Sequence, residues 1–198
     1  MIERTYIIGR DEVPCLVRLG EGESLRWTIV ALPGTSCRLS IEIDLDGPGA
    51  SVDLAGLYLC RESEDVQINV LLKHNSGGCV SRQLFKGIVG DTARASFDGL
   101  IYVKQDAQKT KAYQENHTIL LSDKAVVESR PQLEIYADDV ECSHGATSGF
   151  LNADELFYMR SRGIREEEAR RLQMISFISP VAERLSEDLK AEIYDSLA

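Results

Sequence analysis

The feature that most constrains this chain is a rhythm of strand-like stretches that continues up to about Gly149. Alternating or β-branched runs occupy residues 29–32, 38–44, 51–60, 66–73, 80–89, 94–103, 111–121, 125–136 and 140–144, with little helical periodicity among them. Between them lie turn-forming clusters such as Gly47-Pro48-Gly49, Asn75-Ser76-Gly77-Gly78 and Gly90-Asp91. The runs begin about every 13–16 residues, too unevenly for a sequence repeat and too evenly for a typical mixed fold. A β-sandwich and a β-helix both satisfy this pattern. On alternation alone the sandwich leads, because antiparallel β domains outnumber solenoids.

After Gly149 the period changes to that of short amphipathic helices. Asn152 is a good N-cap with Glu155 at the reach-back position, and the helix through Leu156, Phe157, Met159 and Arg160 is expected to stop at Gly163. A second begins near Arg165, with Glu166/Arg170 and Glu167/Arg171 spaced for i,i+4 pairing and Ala169, Leu172, Ile175 and Ile178 on one face. Ser179-Pro180 is expected to cap and open a third helix, restarted at Ser186 before Leu189, Ile193 and Leu197. The chain therefore divides into a β core, residues 1–149, and a small helical domain, residues 150–198. Helices this short must bury their apolar faces against something larger.

A chain of 198 residues with 43% hydrophobic side chains can bury a substantial core. Its net charge of -10, with no basic stripe, argues against nucleic acid as a partner. The opening Met1-Ile2-Glu3-Arg4-Thr5-Tyr6 lacks a signal-peptide core and no run approaches a membrane span, so no membrane partner and a cytoplasmic location are expected. Five cysteines, Cys15, Cys37, Cys60, Cys79 and Cys142, stand singly with no Cys-x-x-Cys pair, which speaks against a disulfide framework and a self-contained zinc site. Cys60 reads as a small buried hydrophobe. His74 and Asn116-His117 read as satisfied core or ladder positions.

No hydrolase elbow, P-loop, dinucleotide fingerprint or His-Glu-x-x-His motif is present. The chemistry concentrates instead in Asp138-Asp139-Val140-Glu141-Cys142-Ser143-His144. On a strand, Cys142 and His144 point the same way, about 7 Å apart, with Glu141 and Ser143 opposite. A thiolate and an imidazole so placed can share a metal, yet cannot close a four-ligand site alone. A carbohydrate-active β-helix would need two carboxylates across one scissile bond, and Asp138 and Asp139 point to opposite faces. That enzymatic reading is weak.

Ser81-Arg82-Gln83-Leu84-Phe85-Lys86-Gly87-Ile88, Gly99-Leu100-Ile101-Tyr102-Val103, Asp106-Ala107-Gln108-Lys109-Thr110, Pro131 through Val140 and Leu156 through Ile164 together resemble, in continuous register, the SufB/SufD family. These are subunits of the SUF iron-sulfur cluster assembly scaffold. The resemblance implies a mainly β fold, a right-handed parallel β-helix with a small C-terminal α-helical domain, and reverses the order of the two β architectures. It also implies inward positions at Ile68, Val70 and Leu72, at Ala95 and Phe97, and at Leu133, Ile135 and Ala137. Family members usually carry a long helical region ahead of the β-helix, whereas this chain starts almost directly in β structure.

The resemblance further implies a non-enzymatic scaffold subunit that pairs through its β-helix with a second copy of itself or a SufB-like subunit. Cys142 and His144 would contribute metal ligands to a transient iron-sulfur cluster, the motif reading more like the SufD version. The C-terminal helices would dock a SufC-like ABC-type ATPase, with Phe157, Arg160, Arg162 and Gly163 at the best-matching positions. From a different class comes a structural, dimerising homologue that binds the ATPase without holding a cluster.

Overall fold

The structure is a computed structural model that describes residues 1–197, so the end of the helical segment expected to reach residue 198 lies outside the described residues. Eleven strands come first: β1 (Ile2–Ile7), β2 (Leu16–Leu19), β3 (Ser24–Ala31), β4 (Cys37–Leu45), β5 (Ser51–Cys60), β6 (Asp65–His74), β7 (Val80–Val89), β8 (Arg94–Val103), β9 (Lys111–Leu120), β10 (Val126–Ile135) and β11 (Glu141–Phe150). Three helices follow: α1 (Ala153–Ser161), α2 (Glu166–Ala182) and α3 (Glu187–Ser196).

Odd strands form one sheet in the order β1-β3-β5-β7-β9-β11, and even strands form a second in the order β10-β8-β6-β4-β2. Each turn carries the chain from one sheet to the other, so every strand stacks on the one two places earlier. All pairings between these strands are parallel. The architecture is the parallel β-helix that the resemblance implied, with three C-terminal helices, and the sandwich that alternation alone favoured is set aside. Alternation specifies a two-faced strand but not its neighbour, and here the neighbour is supplied by stacking.

Alternation places every second side chain in the lumen. In β6 and β8 the buried apolar side chains are Val66, Ile68, Val70 and Leu72, and Ala95, Phe97, Ile101 and Val103. Phe85 meets Phe97 across the interior with ring centroids 4.7 Å apart. Burial of each of the larger of these side chains stabilises the fold by about 1.5–3 kcal/mol. In the last even strand the expected pattern weakens: Leu133 is half-buried and Ile135 is 38% exposed.

The outer face of the odd sheet is apolar too. Val30, Ala55, Leu57, Leu59 and Ile88 are buried beneath Met174, Ile178, Val181, Leu185, Leu189 and Ile193 of the α2–α3 segment. This second burial explains why β5 reads as an almost unbroken apolar run. Arg184 donates from Nη1 to Asp53 Oδ1 at 2.8 Å, and Arg10 pairs with Glu192, anchoring the helices along the sheet.

β1 and β2 escape the sequence reading because both are edge strands with one buried side chain each, Tyr6 and Leu19. The expected Asn152 cap is present, accepting from the N–H groups of Asp154 and Glu155. Glu155 does not complete a capping box in this arrangement; its carboxylate accepts from Gln173 Nε2 at 3.0 Å. Gly163, at φ +90°, ends the turn after α1. The expected helix start at Ser179-Pro180 is corrected, since α2 runs through Pro180 to Ala182. Pro180 offers no N–H to Ser176 O, and Ser179 Oγ donates to that oxygen at 3.0 Å instead. The anticipated i,i+4 pairs give way to other partners: Glu166 pairs with Arg160 at 3.3 Å, and Arg171 donates to Tyr194 O at 3.1 Å. No helix among the described residues is long and apolar enough to cross a membrane.

Candidate functional site

The last turn of the coil is where the solenoid stops and its interior opens. β10 pairs only with β8 and β11 only with β9, leaving a free edge on each. Glu141 N donates to Thr110 O at 2.9 Å, which sets the phase of β11. In a parallel ladder alternate residues serve opposite neighbours, so Cys142, His144, Ala146, Ser148 and Phe150 turn their backbone groups to the free edge. On β10, Val126 N donates to Ala93 O at 3.0 Å, so the free-edge set there includes Pro131. Pro131 costs the β8 ladder nothing at that phase, and it interrupts the free edge of β10. The edge of β11 carries no such break.

The register Cys142↔Ala112, His144↔Gln114, Ala146↔Asn116 and Ser148↔Thr118 puts these four β11 side chains in line with buried inward residues of β9. Cys142 and His144 therefore share the inward face, as the strand alternation predicts. Their surroundings differ. Cys142 is half-buried and packs against the apolar cluster of Ile101, Val103, Ala112 and Ala137 with Leu133 and Val140 alongside. Burial raises its thiol above the ordinary range, so it is held protonated near neutral pH. His144 is exposed at the mouth and makes no side-chain hydrogen bond among the described residues.

Glu141 and Ser143 face outward. The Glu141 carboxylate accepts from Tyr113 Oη and pairs with Lys111 Nζ at 3.1 Å; the Tyr113 hydrogen bond, followed by Lys111, lowers its pKa. An outward, engaged carboxylate cannot substitute for a ligand on the inward face. Among the described residues no three His, Cys, Asp or Glu side chains converge as a metal site, so Cys142 and His144 supply half a ligand set at most. Soft sulfur with imidazole is nevertheless a donor pair suited to iron-sulfur chemistry.

The other named residues lie on a separate surface. α1 buries none of its side chains, and Phe157 is 74% exposed. Arg160 pairs with Glu166, Arg162 lies 5.3 Å from the Tyr158 ring centroid, and Gly163 closes the turn. Beside α1, a cleft of about 530 Å³ is lined by Thr147, Phe150, Glu155, Met159, Gln173 and Phe177, at the junction of β11 with α1 and α2.

The sequence reading singled out neither Gln83 nor Gln114, which lie inside the lumen directly under the mouth. They are 2% and 0% exposed, and Gln114 Nε2 donates to Gln83 Oε1 at 3.2 Å. Their signal was available as amides at inward positions of two adjacent strands, where alternation otherwise places apolar residues. Asn116 and His117 divide as neighbours on a strand should. Asn116 is buried and hydrogen-bonded to Tyr58 and Ser129, while His117 faces out between Thr147 Oγ1 at 2.7 Å and Glu115 Oε2 at 3.2 Å.

The family model for the SUF system FeS cluster assembly SufBD core domain matches residues 15–177. The chain is 40% identical over 163 residues to the iron-sulfur cluster assembly protein SufD of Escherichia coli K12, covering 82% of this chain and 38% of that protein. It is 39% identical over 158 residues to the chloroplastic protein ABCI7 of Arabidopsis thaliana, covering 78% of this chain and 33% of that protein. It is 31% identical over 176 residues to the SufBD family protein ML0594 of Mycobacterium leprae, covering 85% and 45% respectively. The chain thus spans less than half the length of each of these relatives.

Proposed function

We propose a scaffold role for this chain, which belongs to the SufBD family of SUF-system iron-sulfur cluster assembly proteins. In this reading residues 1–149 pair through the open end of the β-helix, with a second copy or a SufB-like subunit, and a transient cluster is assembled as cargo at the junction. The observation that carries it is the coincidence of a soft ligand pair, Cys142 and His144, with an uncapped lumen mouth bordered by the unbroken edge of β11. A partner strand added there would satisfy the free backbone groups. The same partner would bring further ligands and screen the cluster from water. The chain's own contribution is then to bind and orient, in the cytoplasm, without turning over a substrate.

Residues 150–198 serve in this reading as the docking element for a SufC-like ABC-type ATPase. The support is the unburied α1, with Phe157 foremost and Arg160, Arg162 and Gly163 beside it. Removing the whole segment is a poor test, because α2 and α3 cover Val30, Ala55, Leu57, Leu59 and Ile88. Phe157→Asp is the better probe: it should abolish ATPase capture in a pull-down while leaving the thermal transition unchanged, and retained capture would refute the docking surface.

A second reading, a dimerising partner that binds the ATPase without holding a cluster, is favoured by the raised thiol of Cys142 and its apolar packing. Anaerobic co-purification with the ATPase, followed by iron, sulfide and mass analysis, separates the two. The scaffold reading expects Cys142→Ala to lose most of the iron, His144→Ala to lose less, and the dimer to survive both. Unchanged iron in Cys142→Ala would remove it. A weakened dimer with only background metal would support the structural partner.

A further inference from the structure

The lumen beneath the mouth holds an unanswered hydrogen-bond acceptor. Gln114 Oε1 is buried and without a partner, while the Nε2 of the same amide is occupied by Gln83. The fold makes room for this amide: a Cβ at Gly99, on the facing sheet, would stand 2.4 Å from Gln114 Nε2 and 2.7 Å from Phe97 Cε1. Gln114 therefore crosses the interior against a position that has no side chain. Buried carbonyl groups without donors are costly and uncommon in native folds.

Gln83 Nε2, on the amide that Gln114 contacts, is likewise buried without a partner and makes no hydrogen bond to Gln114 Oε1, and a further donor stands above. His144 is the register partner of Gln114, one strand spacing away and on the same inward face. The neighbouring inward positions on β11 are Cys142, whose thiol is a weak donor, and Ala146, which has none. We infer that Gln114 is the positioning residue for His144, its side-chain carbonyl accepting one imidazole N–H so that the other ring nitrogen is presented, unprotonated, at the mouth.

The inference deepens the ligand reading of His144 and rests on it for its purpose, though the pairing is a property of this chain alone. Histidines that hold metals commonly donate their second ring N–H to a carbonyl or carboxylate, which fixes tautomer and ring orientation. Gln83 holds Gln114 in turn, so the support for an exposed ligand reaches two strands deep into the closed part of the coil.

The test uses the full chain, labelled with ¹⁵N in histidine, at a pH where imidazoles are neutral. His144 should show one dominant tautomer and a slowly exchanging ring N–H. Gln114→Met, close in shape but without the carbonyl, should return His144 to the averaged tautomers of a free imidazole while His74 and His117 keep their shifts. Cobalt(II), titrated as a spectroscopic metal probe, should bind about 10–100-fold more weakly to the variant. An averaged His144 spectrum in the unmutated chain overturns the inference even if Gln114→Met fails to fold. Equal cobalt affinity and unchanged ring shifts in the variant overturn it while leaving the ligand reading standing. A Gln114-dependent tautomer in a chain that binds no cobalt would support the pairing and count against the ligand reading.

Discussion

The closed turns of the coil and its last turn are built from the same alternating strands in the same register, and they behave differently. Val103 on β8 is fully buried, whereas Ile135, its partner on β10, is 38% exposed. Gln114 on β9 is fully buried, whereas His144, its partner on β11, faces solvent. A rung acquires a core only when another rung lies on each side. The last one has a single neighbour, and its inward residues are correspondingly free to be chemical rather than structural.

The sharpest way to break this comparison is to delete one apolar side chain from each region. Phe85→Ala in the closed part removes a fully buried ring packed at a tilt against Phe97 and should cost about 3–5 kcal/mol. Ile135→Ala in the open turn should cost less than about 1 kcal/mol. Urea denaturation of the two variants measures both, and similar losses would show that the last turn is as consolidated as the rest.

Histidines offer a second contrast. His74 is fully buried, donates or accepts at Ser81 Oγ over 2.9 Å, and leaves Nδ1 without a partner. Burial pushes its pKa from 6.5 down to about 4, so the unfolded chain takes up the proton more readily than the folded one. The neutral form's contribution is complete above about pH 6.5 and is lost as pH falls toward about 4, a loss on the order of 3 kcal/mol. Stability measured across that window should decline in the parent and decline less in His74→Gln. A parallel decline in both would assign the effect to other groups.

A proline scan of β11 distinguishes its two sides. Gly145 directs its N–H to β9, so Gly145→Pro should cost about 1–3 kcal/mol through an orphaned carbonyl. Ala146 directs its N–H to the free edge, and Ala146→Pro should leave the monomer's stability nearly unchanged while weakening any edge-paired dimer. Loss of stability in both variants would mean that the edge is already covered. Smallest in energetic terms is thiol reactivity. Cys60, 1% exposed and pushed up to about 12 by burial, should resist alkylation in the folded chain, and half-buried Cys142 should react slowly but measurably. Exposed Cys15 should lead both. Equal labelling of Cys60 and Cys142 would contradict the difference between closed and open turns.

Much of this was legible locally. Strands β4 to β10 lie close to the alternating runs, because a period of two is a property of neighbouring residues. The Asn152 cap, the Gly163 stop and the common face of Cys142 and His144 have the same origin. Pro180 misled for a complementary reason: proline predicts a helix start, but a serine hydroxyl one residue earlier replaced the missing donor and the helix continued.

By itself, then, the amino-acid sequence determined which residues form strands and helices, which side chains share a face, and where a ligand pair could stand. The tertiary structure decided parallel stacking over a sandwich, laid α2 and α3 on the odd sheet, and left β10 and β11 with free edges. It also set Gln114 beneath His144, two residues 30 positions apart in the chain. The physical reason is range. Alternation and capping are written within a few residues, whereas stacking joins residues about 30 apart, such as His117 and Thr147, through contacts that exist only once the coil has closed.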